Sequence, residues 1–238
     1  MKKILLTIIT ISIIIISCKK ENHPTEIKTP EDPNWIKMEI PNGGEAYAIA
    51  GNMDDTLLVT TKSNAYFTTD NGKTWQESKN FNGAIQGLYT SKDTVIALAT
   101  ADGLELDGTL KAVLPQYYTL DLGKSWNRYT DYNKSHTIST PIGITQSSTN
   151  QVTYRLKYNT EPVSANSTAY THLPTDVLKN GTVINFPFKS RLYNLYLDNE
   201  NRLYVAASGN TYNNNGGTST CCTLNTAAVV YISRKPLP

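Results

Sequence analysis

Asp70 and Asp121 stand in matching surroundings 51 residues apart, and Cys18 closes an uncharged apolar run. These are the residues whose types and spacing could do chemistry. Two carboxylates can act as acid and base on either side of a glycosidic bond, and a thiol is a nucleophile and an acceptor for lipid. The other acids considered, Glu105, Asp107, Glu161, Asp176 and Glu200, have no recurring setting, so the expectation for each is solvated surface. The three histidines, His23, His136 and His172, lack metal-ligand spacing, and neither metal nor cofactor is expected. There is no phosphate-cradling glycine motif and no Ser-His-Asp signature; Gly216-Gly217 within Asn213 to Ser219 reads as polar loop.

The two aspartates belong to segments that align without gaps: Tyr66 to Trp75 (YFTTDNGKTW) and Tyr117 to Trp126 (YYTLDLGKSW). Each carries Ser/Thr-x-Asp-x-Gly-x-Ser/Thr-Trp. A short Asp side chain can accept hydrogen bonds from nearby backbone N–H groups and fix a turn. Gly72 and Gly123 supply positive φ, and Thr68, Thr119, Thr74 and Ser125 can add hydroxyl bonds. Trp75 and Trp126 are expected to bury their rings, worth roughly 4–6 kcal/mol each as an upper bound. The expected role of Asp70 and Asp121 is therefore structural rather than catalytic. A third copy begins at Tyr231-Ile232-Ser233, but Lys235 falls at the aspartate position and Leu237 at the glycine position.

Lys2 and Lys3 precede the apolar run Ile4 to Ile16, which is 13 residues long. A spanning helix needs about 20, so the run suits the h-region of a signal peptide. The sequence Ile15-Ile16-Ser17-Cys18 resembles the bacterial lipobox. That resemblance implies diacylglycerol transfer to the Cys18 sulfur, cleavage before Cys18 and acylation of the new amine. Stable attachment needs more than one acyl chain, which a triacylated cysteine supplies. Lys19 rather than Asp follows, so the expected location is the cell envelope, with the outer membrane as default. Residues 1–17 then form the signal peptide. Residues 18–34, with Pro24, Pro30, Pro33 and many charges, read as a solvated tether. Lipid on Cys18 leaves only Cys221 and Cys222, whose vicinal Cα atoms sit about 3.8 Å apart, too close for an unstrained disulfide; both are expected as unpaired loop thiols.

The elements that would hold the motifs are short strands over residues 35–238. Ala46 to Ala50, Ile85 to Tyr89 and Leu192 to Tyr196 each precede a polar turn and a second apolar segment, at Leu57 to Thr60, Val95 to Ala99 and Leu203 to Ala206. A weaker unit spans Ile142 to Thr145, Val152 to Tyr158 and Thr182 to Phe188, without the motif. About four units of roughly 50 residues each are blade-sized, which predicts an all-β, propeller-like fold. With Lys2 and Lys3 removed, 20 basic residues balance 20 acidic ones, and no basic cluster points to nucleic acid.

The repeated segments resemble the Asp-box, or BNR, repeat of sialidase-like propellers, Vps10-type sorting-receptor propellers and photosystem II assembly factors. The resemblance covers residues 40–238 and implies that the motif sits on the hairpin between the last two strands of a blade. Propellers of this kind usually have six or more blades. Here either the ring closes with few blades, or the chain is a shortened copy with an open strand edge. Sialidases hold their substrate with three arginines, the first in a Phe/Tyr-Arg-Ile-Pro motif ahead of the first box. Here no arginine precedes Arg128, and only Arg155, Arg191, Arg202 and Arg234 follow. The expectation is a non-enzymatic module that binds an unidentified protein or glycan, with a divergent glycoside hydrolase as the alternative. Candidate contact loops, chosen on length and polarity, are Ala101 to Leu114, Tyr158 to Leu173 and Gly209 to Thr226.

Overall fold

The structure is a computed structural model that describes residues 32–104, 109–162, 167–211 and 226–237. Cys18, His23, Glu105, Asp107, Gly216, Gly217, Cys221 and Cys222 lie outside the described residues. The first strand is β1 (Trp35–Ile40). Blade 1 is β2 (Ala46–Gly51), β3 (Leu57–Thr61), β4 (Asn64–Thr68) and β5 (Gln76–Asn80), ordered from centre to rim. Blade 2 is β6 (Gly87–Ser91), β7 (Thr94–Leu104) and β8 (Leu110–Thr119). The outer edge of β8 is covered at one end by β9 (Asn127–Arg128), and at the other, past the short helix α1 (Tyr132–Ser135), by β10 (Thr140–Ile142). Blade 3 is β11 (Ile144–Gln146), β12 (Thr153–Pro162), β13 (Tyr170–Lys179) and β14 (Thr182–Val183). Blade 4 is β15 (Ser190–Leu197), β16 (Leu203–Thr211) and β17 (Ala228–Ser233), and its fourth strand is β1. The arrangement is a four-bladed β-propeller.

The inner strands meet around the axis: β2 touches β15 and β6, β11 touches β15, and β10 bridges β6 and β15. Apolar layers fill the spaces between blades. In β16, Leu203, Val205 and Ala207 pack towards blade 3, while Tyr204 and Ala206 pack towards blade 1. Both faces of such a strand are buried, which is why LYVAA reads as an unbroken apolar run rather than an alternating one.

The edge of β17 left open by the third, partial motif is occupied by β1, antiparallel from Trp35 opposite Ser233 to Ile40 opposite Ala228. The register makes β1 the counterpart of the strands that follow the other two motifs. Gln76 pairs Phe67, Asn127 pairs Tyr118 and Ile36 pairs Ile232. The residue before each is Trp75, Trp126 or Trp35, so all three tryptophans of the chain hold equivalent positions. Each reaches the preceding blade. Trp126 donates Nε1–H to Ser78 Oγ at 3.1 Å and meets Phe81 edge-on. Trp75 packs against the layer between blades 4 and 1 that holds Met38 and Val230, and Trp35 belongs to the layer between blades 4 and 3 that holds Tyr154 and Val177. Trp35 is 3% exposed. Trp75 and Trp126 are only half-buried, so the full ring burial expected for them overstates their contribution: their outer faces lie at the rim of the blade, where no further strand covers them.

The motif glycines do more than permit a turn. Gly123 has φ 89°, and a Cβ there would stand 2.5 Å from Leu58 Cδ1 in blade 1. Gly181, in the two-residue Asn180-Gly181 turn of blade 3, has φ 84° with nothing near its Cβ position. Gly181→Ala meets the backbone cost alone, about 1 kcal/mol, whereas Gly123→Ala adds overpacking for a total of about 3 kcal/mol. Urea midpoints of the two variants should differ accordingly; equal losses would refute the contact with Leu58.

Candidate binding face

The two ends of the ring have different chemistry. At one end lie the aspartate turns, where Leu57 pairs Thr68 and Val95 pairs Thr119. Thr68 Oγ1 donates to Asp70 Oδ1 at 2.8 Å and accepts from Gly72 N at 3.0 Å. Asp70 then accepts from Thr74 N at 2.9 Å and from Thr74 Oγ1 at 2.6 Å. Thr119, Asp121, Gly123 and Ser125 repeat the same bonds at 2.7, 2.8, 2.8 and 2.6 Å. Both carboxylates spend these bonds inside their own turns. In blade 4 the same work is shared between chain segments 200 residues apart. Ser233 Oγ accepts from Leu203 N at 2.8 Å, and Asp32 Oδ1 accepts from Asn34 N at 2.8 Å and Trp35 N at 3.0 Å.

Bonds from Thr74 hold the Asp70 carboxyl down to about 2. Burial pushes Asp121 up, but bonds from Ser125 and Thr119 outweigh it and leave that carboxyl below its ordinary range. A depressed folded-state value means stability that is present above the unfolded value, near 4, and is lost as pH falls towards 2. The destabilisation caused by Asp70→Asn should therefore be largest above pH 4 and shrink between pH 4 and 2. Thermal melts of both proteins across that window test it, and a pH-independent difference would refute the charge-based account.

The opposite end carries the long connections. The strand pairs β7/β8, β12/β13 and β16/β17 all open towards it, and the segments expected there as contact loops are in large part strand: Ala101 to Leu104 and Leu110 to Leu114 belong to β7 and β8, Tyr158 to Pro162 and Tyr170 to Leu173 to β12 and β13, and Gly209 to Thr211 to β16. Leu114 in the first of them is 51% exposed with φ 65°, and Tyr158 in the second is 46% exposed. On this face, between blades 4 and 1, sits a cluster that no sequence motif marks. Glu45, 7% exposed, accepts from Tyr47 Oη at 3.1 Å and from Tyr193 Oη. The two rings lie 4.8 Å apart, and the Arg191 guanidinium stands 5.2 Å from the Tyr193 ring centre. Burial, then the Glu45 charge, pushes the Tyr47 phenol up to about 12; burial and the bond to Glu45 push Tyr193 up as well. Its only local signal is the two-residue spacing of Glu45 and Tyr47, which puts both on one side of a strand.

Between the two ends the axis holds a cavity of about 180 Å³ lined by Ala48, Ile49, Leu88, Pro141, Gln146 and Asn194, among others. Asn194 Oδ1 fixes one wall by accepting from Gly143 N at 2.8 Å. The other residues singled out by type are dispersed. Asp176 lies 3.8 Å from Lys157 on blade 3, and Glu200 lies 3.7 Å from Arg202 on blade 4. His136 follows α1, Arg128 is on β9, and Glu161, Arg155 and His172 are on the β12/β13 hairpin. Among the described residues no group of three or more His, Cys, Asp or Glu could hold a metal ion, and no helix is long and apolar enough to cross a membrane.

A four-bladed propeller with two repeated aspartate turns is the class the fold defines. No protein-family model matches the chain, and no characterised protein matches it in sequence. Among solved structures it is similar to YCF48 bound to a D1 peptide, at 11% identity and a TM-score of 0.29, covering 76% of this chain and 68% of that one. It is also similar to YCF48 from Cyanidioschyzon merolae, at 15% identity and 0.31, covering 78% and 57%, so it spans little more than half of that protein. A third is virginiamycin B lyase from Staphylococcus aureus, at 14% and 0.27, covering 77% and 72%. Likeness of this degree carries no functional argument.

Proposed function

We propose that the chain is an envelope lipoprotein, anchored through lipid on Cys18, whose propeller is a non-enzymatic module that binds a protein or glycan on the loop end. The observation that supports this best is that the strand pairs β7/β8, β12/β13 and β16/β17 all open towards one end, the end that also carries the Glu45, Tyr47 and Tyr193 cluster. Rigid strands holding variable connections at one end are the usual layout of a recognition surface. Asp70 and Asp121 then act as turn-formers, of the Asp-box kind, at the far end. The test is a glycan array and an envelope-extract pull-down with the detergent-solubilised full chain. Saturable capture that survives Asp70→Asn supports the reading. Turnover of a chromogenic glycoside would overturn it in favour of a divergent hydrolase.

A further inference from the structure

The strands that begin the blades, β2, β6, β11 and β15, each bring one edge to the axis, where no further strand pairs with it among the described residues. Together with β10 they enclose the axial cavity of about 180 Å³. Asn194 on its wall is 7% exposed, and its Oδ1 accepts from Gly143 N at 2.8 Å and from Leu195 N at 2.9 Å. Both partners are backbone donors, so the bonded atom must be the amide oxygen and the other the nitrogen. That nitrogen has no hydrogen-bond partner among the described residues, and it is not sealed from solvent. Two bonds thus hold the amide still and leave its N–H groups to the cavity.

Thr140 and Thr145, also on the wall, carry hydroxyls with no hydrogen-bond partner among the described residues. Leu88, Pro141 and Ile144 supply an apolar stretch. Among the described residues no Asp, Glu, Lys, Arg or His lines the cavity. A charged ligand would give up its water there and meet no counter-charge. An uncharged ligand with several hydroxyls can bond to the amide and the threonines while its C–H groups rest on the apolar stretch. A cavity of about 150 Å³ takes benzene, so this one admits one six-membered ring and not a second.

We propose that the axial cavity is a binding site for one uncharged sugar ring, a neutral hexopyranose, with Asn194 Nδ2 and the Thr140 and Thr145 hydroxyls as its hydrogen-bond partners. The ring arrives either as a free monosaccharide or as the end residue of a glycan; the chemistry recognised is the same. The uncharged wall excludes acidic sugars and nucleotides. The site is apart from the Glu45 cluster, and it stands independently of the lipid anchor and of the loop end. A ligand this small should bind with a Kd of about 1 mM.

The experiment uses the detergent-solubilised full chain with glucose, galactose and mannose, and with glucuronate as the charged control. Saturation-transfer NMR should show saturable binding of at least one neutral sugar and none of glucuronate. No saturable signal up to about 10 mM, or equal binding of glucuronate, overturns the proposal. Thr140→Val with Thr145→Val removes both hydroxyls at nearly constant shape and should weaken binding about tenfold at an unchanged Tm; unchanged affinity overturns the site. In the unaltered chain, bound sugar should slow hydrogen exchange across residues 140–146. Protection confined to the loop end would place the sugar there and overturn the axial site. A methyl glycoside that binds like the free sugar identifies the end residue of a glycan, and one that does not identifies the free monosaccharide; either supports the site.

Discussion

Trp35→Ala should lower the stability of the propeller by about 3–5 kcal/mol, the range for deleting a buried large aromatic side chain. At this chain length that is a fall of roughly 10 °C in Tm. Trp35 sits edge-on to Phe186 at 5.0 Å and to Phe188 at 6.4 Å, and its backbone N–H is held by Asp32. Its loss leaves a cavity between blades 4 and 3. It also loosens the first residue of the strand that covers β17. Trp126→Ala is the control. It removes an equivalent but half-buried ring from a strand held by a continuous turn, so it should cost about half as much. Chemical unfolding of both variants, with hydrogen exchange at Val229 and Tyr231, distinguishes the cases. Faster exchange at β17 in Trp35→Ala alone is expected, and equal losses in both variants would refute the special standing of β1.

That contrast marks what was legible in the residue order. The two intact motifs, at one blade's spacing, gave away the hairpin turns and the repeat length. The paired apolar runs at Ala46 to Thr60 and Leu192 to Ala206 gave away the inner two strands of their blades, because both faces of those strands are buried. Closure was not legible. The pairing of Trp35 with Ser233 joins residues from opposite ends of the chain, and hydrogen-bond register between distant strands leaves no local pattern. The single hint was a third tryptophan standing outside either motif. The segment Thr182 to Phe188 looked like a strand, but only Thr182–Val183 pairs; Ile184, Phe186 and Phe188 are apolar because their side chains pack on the blade 3–4 layer, not because their backbones join a ladder. The Glu45 cluster was invisible for a related reason: Tyr193 lies 148 residues away, and only the ring of blades brings it to Glu45.

Arg202→Met should cost about 3 kcal/mol, because it strands a carboxylate that the fold has removed from water. The Asp198 side chain is 1% exposed and the Arg202 side chain 9%. Arg202 Nε donates to Asp198 Oδ2 at 2.7 Å, and its Nη1 reaches Asp54 Oδ2 at 2.6 Å across the seam between blades 4 and 1. Tyr204 ties the same seam. Its hydroxyl donates to Asp198 Oδ2 at 2.9 Å and accepts from Met53 N at 3.0 Å. Removing one member of a buried pair typically costs 3–5 kcal/mol. Asp198 keeps donors from Glu200 N, Arg202 N and Tyr204 Oη, which places the loss at the low end. Asp198→Asn combined with Arg202→Met removes the stranded charge and should recover more than half of the single-variant loss. Asp54 is half exposed, so Asp54→Ala should cost less than about 1 kcal/mol. Urea unfolding of Arg202→Met, the double variant and Asp54→Ala makes the comparison. If Arg202→Met and the double variant are equally unstable, the loss comes from the packing of the arginine stem across the seam and not from the buried charge.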